Sequence, residues 1–279
     1  MTKTETADPV DTRLSFRDHL IELRKRLLLS AIAVLAFAAV GFVFAEDLYR
    51  ILRAPMESAL PENSSFIVTG PIEYFVVLLK VSLAAGLLGA SPWVLFQIWK
   101  FVAPGLYANE RRYAAAFVFF GSAFFLSGAA FAYFVVFPAG LPFLVGLNPP
   151  DIHGMYKVGE YYSFAIRLLM AFGIAFELPV VIVLLCLLGV VSTEFFSRFR
   201  KYAIVLSFVF AALLTPPDVI TQVSMALPLY FLYEAGLLVA RMLTKNTKEK
   251  DTTEPEPRQQ SDPLQQNDAA QNPDKPEHK

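Results

Sequence analysis

The hydrophobic pattern of the chain consists of long apolar runs separated by short polar segments. An α-helix rises about 1.5 Å per residue, so about 20 apolar residues are needed to cross a hydrocarbon core about 30 Å thick. We predict a transmembrane helix for each of six apolar runs: 27–45, 74–98, 113–138, 161–188, 202–214 and 219–240. The first four are long enough by themselves.

The last two runs are shorter and are separated by a proline pair. Residues 202–214 would form a helix of only about 20 Å. Prolines in the segment 215–218 (TPPD) remove backbone donors, and Asp218 is a favourable N-cap residue for the next run. We interpret the region as two short transmembrane helices, which a locally thinned bilayer can accommodate. A single re-entrant hairpin is the alternative.

The positions of the charged residues predict how the chain is oriented. Lysine and arginine near the ends of membrane spans concentrate on the cytoplasmic side. Most of the 24 basic residues precede the first run, follow the sixth, or lie in the loops after the second and fourth runs. We therefore predict that both termini are cytoplasmic, which requires an even number of crossings.

Composition excludes several other classes of protein. Hydrophobic residues make up 55% of the chain and charged residues 18%, whereas an ordinary soluble domain is about a quarter charged. One cysteine excludes a disulfide framework, and the three histidines are far apart, so we expect no metal and no cofactor. Residues 245–279 are too polar to offset their ordering entropy. We predict a membrane domain over 1–244 and a disordered cytoplasmic tail over 245–279.

Glu177 needs an explanation because it lies midway along the fourth apolar run. An ionisable group near the bilayer centre costs about 2.5–3.5 kcal/mol, so it normally faces a cavity or a partner. Pro179 predicts a kink in the same helix. The alternatives are a functional polar contact and a protonated carboxyl group that is hydrogen-bonded to a neighbouring helix.

Two further acids lie among arginines on the predicted cytoplasmic face. Glu22 belongs to an amphipathic segment that begins near Ser15, and Glu110 precedes two arginines. The simplest interpretation makes Glu22 the partner of Arg26 in a surface ion pair and Glu110 a favourable charge at a helix N-terminus. Alternatively, the two carboxylates form an acceptor site for an arginine-bearing peptide, because guanidinium groups bind carboxylates bidentately.

The predicted outer face has a polar rim that includes Pro55, Glu73, Asp218 and Gln222, with a loop expected over residues 46–73. Gln222 follows Asp218 by one helical turn and would lie just inside the membrane. An amide at that depth is expected to hydrogen-bond to another helix.

Five segments in this order resemble the TatC family, the multi-spanning receptor subunit of the twin-arginine protein translocase. They are residues 19–28 (HLIELRKRLL), 97–107 (QIWKFVAPGLY) with 110–112 (ERR), 131–138 (FAYFVVFP), 172–179 (FGIAFELP) and 213–218 (LLTPPD). The resemblance covers roughly residues 15–242. It implies an all-α membrane protein whose six helices form a curved, glove-like wall, with two short final helices and both termini cytoplasmic.

The resemblance also implies roles for individual residues. Those that bind the signal peptide would be Glu22, Glu110, Arg24, Arg26 and Phe101, with the two glutamates contacting its paired arginines. Glu177 would face the concave side of the wall. Thr215 and Gln222 would receive the single transmembrane helix of a partner subunit. Pro55, Asp218 and Tyr133 are further functional positions, whereas Glu73 falls where the family varies and receives no role.

The implied function is that of a non-enzymatic receptor in a bacterial inner-membrane complex. Its partners would be membrane lipids, single-span TatA-like and TatB-like subunits, and folded cargo with twin-arginine signal peptides. The proton motive force would drive export. No nucleic acid is expected. The alternatives are a proton-coupled small-solute transporter that uses Glu177, and an intramembrane enzyme. The sequence contains no HExxH motif, GxSxG motif or pair of intramembrane aspartates for catalysis, and no Walker-type nucleotide-binding loop.

Overall fold

The structure is a computed structural model that describes residues 16–61, 64–102, 114–147, 149, 154–214 and 219–251. The described residues form nine α-helices, one π-helical segment and two short strands. The helices are α1 (Phe16–Val43), α2 (Ala45–Glu57), α3 (Glu73–Val102), α4 (Ala114–Phe131), α5 (Phe137–Gly146), α6 (Val158–Phe176), α7 (Leu178–Leu187), α8 (Thr193–Leu214) and α9 (Val219–Asp251). The strands β1 (Ser65–Ile67) and β2 (Met155–Lys157) pair in parallel, and the π-helical segment is Ala132–Val136.

Five helical rods in the described part of the chain are long and apolar enough to cross a membrane. They are Arg17–Val43, Glu73–Val102, Ala115–Gly146, Val158–Leu187 and Gln222–Thr244. Helix α8 is the remaining long helix, but its first turns carry Arg198, Arg200 and Lys201, which confines its uninterrupted apolar part to residues 202–214.

Helix α1 runs antiparallel to α3 and contacts little else. A Cβ atom on Gly86 would lie 2.6 Å from the backbone nitrogen of Ala38, so only glycine permits this close approach. No α1 residue from Arg17 to Val43 is buried. The other faces of α1 are therefore open to lipid or to partner proteins.

The main hydrophobic core surrounds α6. Its largest fully buried side chains include Tyr162, Leu168 and Phe172 on α6, with Val77 from α3 and Phe137 from α5. A second, smaller cluster joins α7, α8 and α9: Ile182, Cys186, Ala203, Tyr233, Leu237 and Ala240.

Two helical rods are interrupted near prolines. Helix α6 ends at Phe176 and α7 begins at Leu178, so the helix is broken at Glu177, two residues before Pro179, where a kink is predicted. The π-helical segment precedes Pro138, and the amide of Phe137 donates to the carbonyl of Ala132. This wider turn is a typical response to a proline, whose ring crowds the preceding turn.

The structure changes two predicted boundaries. The loop expected over residues 46–73 is partly helical, because α2 buries Tyr49, Leu52 and Met56 against the core and exposes its polar face. Helix α9 continues beyond residue 244 to Asp251, in a stretch that contains good helix formers such as lysine and glutamate. The disordered tail stays a prediction for residues 252–279, which lie outside the described part.

Helix directions define two ends of the bundle. Helix α1 begins and α3 finishes at the same end, which we call the terminal end. Helix α3 and α6 both begin at the opposite end, which carries β1 and β2 and which we call the strand end.

Candidate functional site

A chain of polar contacts links α1 to α3 at the terminal end. Arg26 Nη2 donates to Glu22 Oε1 at 3.0 Å, and Arg26 Nη1 donates to Gln97 Oε1 at 3.3 Å. The side chains of Arg26 and Glu22 are 22% and 24% exposed, whereas Gln97 is buried. The ion pair expected from the i, i+4 spacing is therefore present. Gln97 received no predicted role, although its polarity within an apolar run is a usable signal.

An aromatic contact lies beside this ion pair. The rings of His19 and Phe101 stack with their centroids 4.4 Å apart and their planes 24° from parallel. Arg24 is exposed on α1. The structure thus brings Glu22, Arg26 and Phe101 together at the α1–α3 contact, while Glu110 lies outside the described residues.

Glu177 lies at the break between α6 and α7, against α3 and α4. Both carboxylate oxygens are buried and have no hydrogen-bond partner among the described residues. A Cβ atom on Gly121 would lie 3.2 Å from Glu177 Oε2 and 3.1 Å from Leu95 Cδ1, so Gly121 leaves room for the carboxyl group. Buried polar groups normally have a partner, which makes this carboxyl group a candidate for contact with a bound helix.

Gln222 lies near the strand end, at the start of α9. Its Nε2 donates to the carbonyl oxygen of Phe208 on α8 at 3.1 Å. This bond confirms the expected interhelical contact of the amide. Thr215 and Asp218, the other predicted residues of this region, lie outside the described part of the chain.

One hydrogen bond links Pro55 to Tyr133 and gives both residues a structural role. Pro55 lies inside α2 and has no amide hydrogen for the carbonyl of Ile51, four residues earlier. The Tyr133 hydroxyl donates to that carbonyl at 2.8 Å. The hydroxyls of two further tyrosines hold α2 by its carbonyls: Tyr161 donates to Leu52 at 2.6 Å, and Tyr162 donates to Tyr49 at 2.8 Å.

Glu73 has a structural role that the resemblance did not assign. Its Oε1 accepts from the amide of Gly159 at 2.7 Å, and its Oε2 accepts from the amide and hydroxyl of Thr69 at 2.5 and 2.8 Å. The first amides of a helix lack partners within the helix, and a carboxylate is favourable there. Glu73 therefore caps α6 from the start of α3.

Helices α8 and α9 are joined by a polar cluster within the bundle. Arg200 Nη2 donates to Glu234 Oε2 at 2.7 Å, and the Tyr230 hydroxyl donates to Glu234 Oε1 at 2.9 Å. The Tyr233 hydroxyl donates to the carbonyl of Phe196 at 2.5 Å. Within the described residues, no group of three or more His, Cys, Asp or Glu side chains could hold a metal ion.

Comparison with known proteins gives a consistent result. The family model described as Sec-independent protein translocase protein (TatC) matches residues 18–228. The TatC of Desulforapulum autotrophicum is 44% identical over 247 residues, which cover 88% of this chain and 90% of the relative. The TatC of Escherichia coli K12 is 40% identical over 233 residues, covering 84% and 90%.

Solved structures extend the similarity to three dimensions. A crystal structure of the twin arginine translocase receptor TatC superimposes with a TM-score of 0.72 at 42% identity, covering 81% of this chain and 99% of the solved chain. The crystal structure of TatC in DDM gives a TM-score of 0.73 at 42% identity, covering 80% and 99%. These matches confirm the predicted fold class.

Proposed function

The chain belongs to the TatC family of Sec-independent protein translocase proteins, and we propose that it is the subunit that recognises twin-arginine signal peptides. It is a multi-pass membrane component of a bacterial protein translocase and not an enzyme. The small-solute transporter is not retained, because the family transports proteins.

The observation that carries the proposal is the pairing of Glu22 with Arg26. The carboxylate already accepts a guanidinium hydrogen bond at 3.0 Å, so its surroundings fit the group that a signal peptide would present. Partly exposed ion pairs contribute only about 0.2–1 kcal/mol. An incoming arginine can therefore replace Arg26 on Glu22 at little cost, while Gln97 retains the displaced Arg26 side chain.

The remaining contacts of the signal peptide follow from the sequence and from the geometry at Glu177. Glu110 supplies the second carboxylate, and Arg24 and Phe101 border the same surface. The hydrophobic part of the peptide then packs along the bundle toward Glu177, where Gly121 leaves room beside the carboxyl group. A donor on the bound helix would satisfy these buried oxygens.

The partner subunits bind near the strand end of the bundle. TatA-like and TatB-like single helices dock where α8 meets α9, near Thr215 and Gln222. Both termini of the chain are cytoplasmic in this proposal, and the proton motive force drives the passage of folded cargo.

The docking site is tested by crosslinking. A twin-arginine peptide with a photoreactive group is bound to membrane vesicles that contain the full chain. Glu22→Gln with Glu110→Gln should reduce crosslinking about ten-fold or more, which corresponds to about 1.4 kcal/mol.

Glu57→Gln is the matched control, because Glu57 pairs with Arg53 at 2.7 Å at the strand end with the same i, i+4 spacing. It should leave crosslinking unchanged. Undiminished crosslinking of the Glu22→Gln and Glu110→Gln protein would contradict the proposal.

A further inference from the structure

A groove between α1, α3 and α6 contains two basic side chains that the proposed function does not use. Lys80 on α3 and Arg167 on α6 line a cavity of about 500 Å³. The rest of its wall is mainly apolar and includes Leu83, Leu87 and Met170.

The two basic groups converge on one residue. Lys80 Nζ donates to Ser163 Oγ at 2.9 Å, and Arg167 Nε donates to the carbonyl oxygen of Ser163 at 3.2 Å. Among the described residues, neither forms an ion pair with an aspartate or a glutamate within 4.0 Å. Both basic side chains are exposed at the groove. Two like charges that bond to the same residue repel each other, and an anion bound between them would remove that repulsion.

The positions of Lys80 and Arg167 along their helices place their charged groups near the phosphates of one leaflet. Helices α3 and α6 start at the strand end, and Lys80 and Arg167 follow Glu73 and Val158 by about 10 Å and 14 Å along the helix axes. Basic side chains at such depths extend their charged groups toward the headgroups. Leu87 lies about 10 Å deeper than Lys80, so the apolar wall continues toward the bilayer centre.

The charges and the wall of the groove match the two parts of one kind of occupant. An anionic headgroup would satisfy the two basic side chains, and an acyl chain would cover the apolar wall. Basic pockets between transmembrane helices bind anionic lipid headgroups at the cytoplasmic side of membranes, and the same pairing of charges applies in the other leaflet.

We propose that this groove binds an anionic phospholipid. Lys80 and Arg167 hold its phosphate, and one acyl chain lies over Leu83, Leu87 and Met170. The site is independent of the signal-peptide site, because it lies in the half of the bundle nearer the strand end.

The test is native mass spectrometry of the full chain in mild detergent, with phosphatidylglycerol, phosphatidylcholine and inorganic phosphate as separate probes. The unmodified chain should retain one phosphatidylglycerol and bind phosphatidylcholine more weakly. Lys80→Gln or Arg167→Gln alone should weaken phosphatidylglycerol binding about five-fold, and both together about twenty-fold.

Two further variants show whether a loss of lipid binding comes from the groove itself. One tests for a general effect of charge, and the other tests for misfolding. Arg50→Gln with Lys157→Gln removes two exposed charges from the strand end outside the groove and should leave binding unchanged. Lys80→Arg with Arg167→Lys keeps both charges and should retain the lipid. The single variants keep the test valid if the double glutamine variant does not fold.

Three results would overturn the proposal. The first is equal retention of phosphatidylglycerol by the unmodified chain and by the folded single variants. The second is displacement of the lipid by inorganic phosphate at equal concentration, which would indicate a site for a free anion. The third is loss of a co-purifying single-span protein from the glutamine variants without loss of lipid, which would indicate a carboxylate-bearing partner helix.

Discussion

Glu22 forms an ion pair with Arg26 of the same chain. This pair affects how an arginine of a signal peptide could bind to Glu22. Arg26 donates hydrogen bonds to both Glu22 and Gln97. Under the proposed function, Arg26 would therefore compete with a signal-peptide arginine for the Glu22 carboxylate.

Removing this competitor should strengthen peptide binding. For Arg26→Gln we expect a twin-arginine peptide to bind about two- to five-fold more tightly, because no partly exposed ion pair has to be broken first. Fluorescence anisotropy of a labelled peptide with the full chain in detergent measures the change. Arg53→Gln, which removes the arginine of the Arg53–Glu57 pair, is the control. Weaker binding to the Arg26→Gln protein would mean that Arg26 contributes to the contact instead of competing for it.

Tyr133 acts through the carbonyl that Pro55 leaves without an intrahelical partner. Tyr133→Phe should destabilise the protein by about 1–2 kcal/mol, because the Ile51 carbonyl loses its donor. In a Pro55→Ala background the new amide can bond to Ile51, so the same substitution should cost clearly less. Thermal unfolding of the four proteins in detergent measures this coupling.

Tyr202→Phe, at an exposed tyrosine of α8, is the control for the loss of a hydroxyl group and should change the unfolding midpoint little. An equal cost of Tyr133→Phe with Pro55 and with Ala at this position would disprove the link between the two residues.

Contacts between helices in this bundle depend on small residues and on a few polar ties. Gly86 brings α3 onto α1, and Gly128 brings α4 onto α6. The Arg200–Glu234 pair and the Gln222–Phe208 bond tie α8 to α9 toward opposite ends of the helices. The hydrophobic effect does not favour helix association within a membrane, because lipid tails are as apolar as the helices. Close packing and interhelical hydrogen bonds must therefore stabilise the bundle.

Gly128→Val should therefore disrupt the α4–α6 contact. A Cβ atom on Gly128 would collide with the Phe172 carbonyl oxygen and lie 2.9 Å from the Gly173 Cα, and these backbone atoms move only if the helices separate. We expect a destabilisation of about 3 kcal/mol or more, seen as loss of the monodisperse peak in size-exclusion chromatography. Gly140→Val in α5 is the control, because nothing lies within 4 Å of a Cβ atom there. A normal elution profile for Gly128→Val would show that the helices are not in such close contact.

The two ends of the whole bundle differ in how firmly they are held. At the strand end, the Glu73 cap connects α3 to α6, and the β1–β2 pair joins the segments that precede these helices. Two tyrosine hydroxyls connect α6 to α2, and that of Tyr133 connects the π-helical segment to α2. At the terminal end, α1 meets α3 through the Arg26–Gln97 hydrogen bond and one ring stack, and no α1 residue from Arg17 to Val43 is buried. This difference fits the proposed function, in which a peptide site at the terminal end opens while the strand end keeps its shape.

Local features of the sequence determined much of the fold and part of the site. Apolar runs predict membrane-spanning helices because the bilayer sets their length, and Pro179 predicts a break because a proline acts on its own helix. The Glu22–Arg26 pair follows from i, i+4 spacing, and the interhelical bond of Gln222 follows from the polarity of an amide at the membrane edge. Each of these inferences needs only residues within a few turns of one another.

Tertiary structure alone decided which distant groups meet. Gln97 is 71 residues from Arg26, Glu73 is 86 from Gly159, and Tyr162 is 113 from Tyr49. Lys80 lies on α3 and Arg167 on α6, and only the parallel packing of these helices places both side chains at Ser163. The rotation and the neighbours of each helix depend on how the whole bundle packs. The apolar pattern of the sequence does not predict this packing, because a side chain that faces lipid and one that faces the protein interior are both in apolar surroundings.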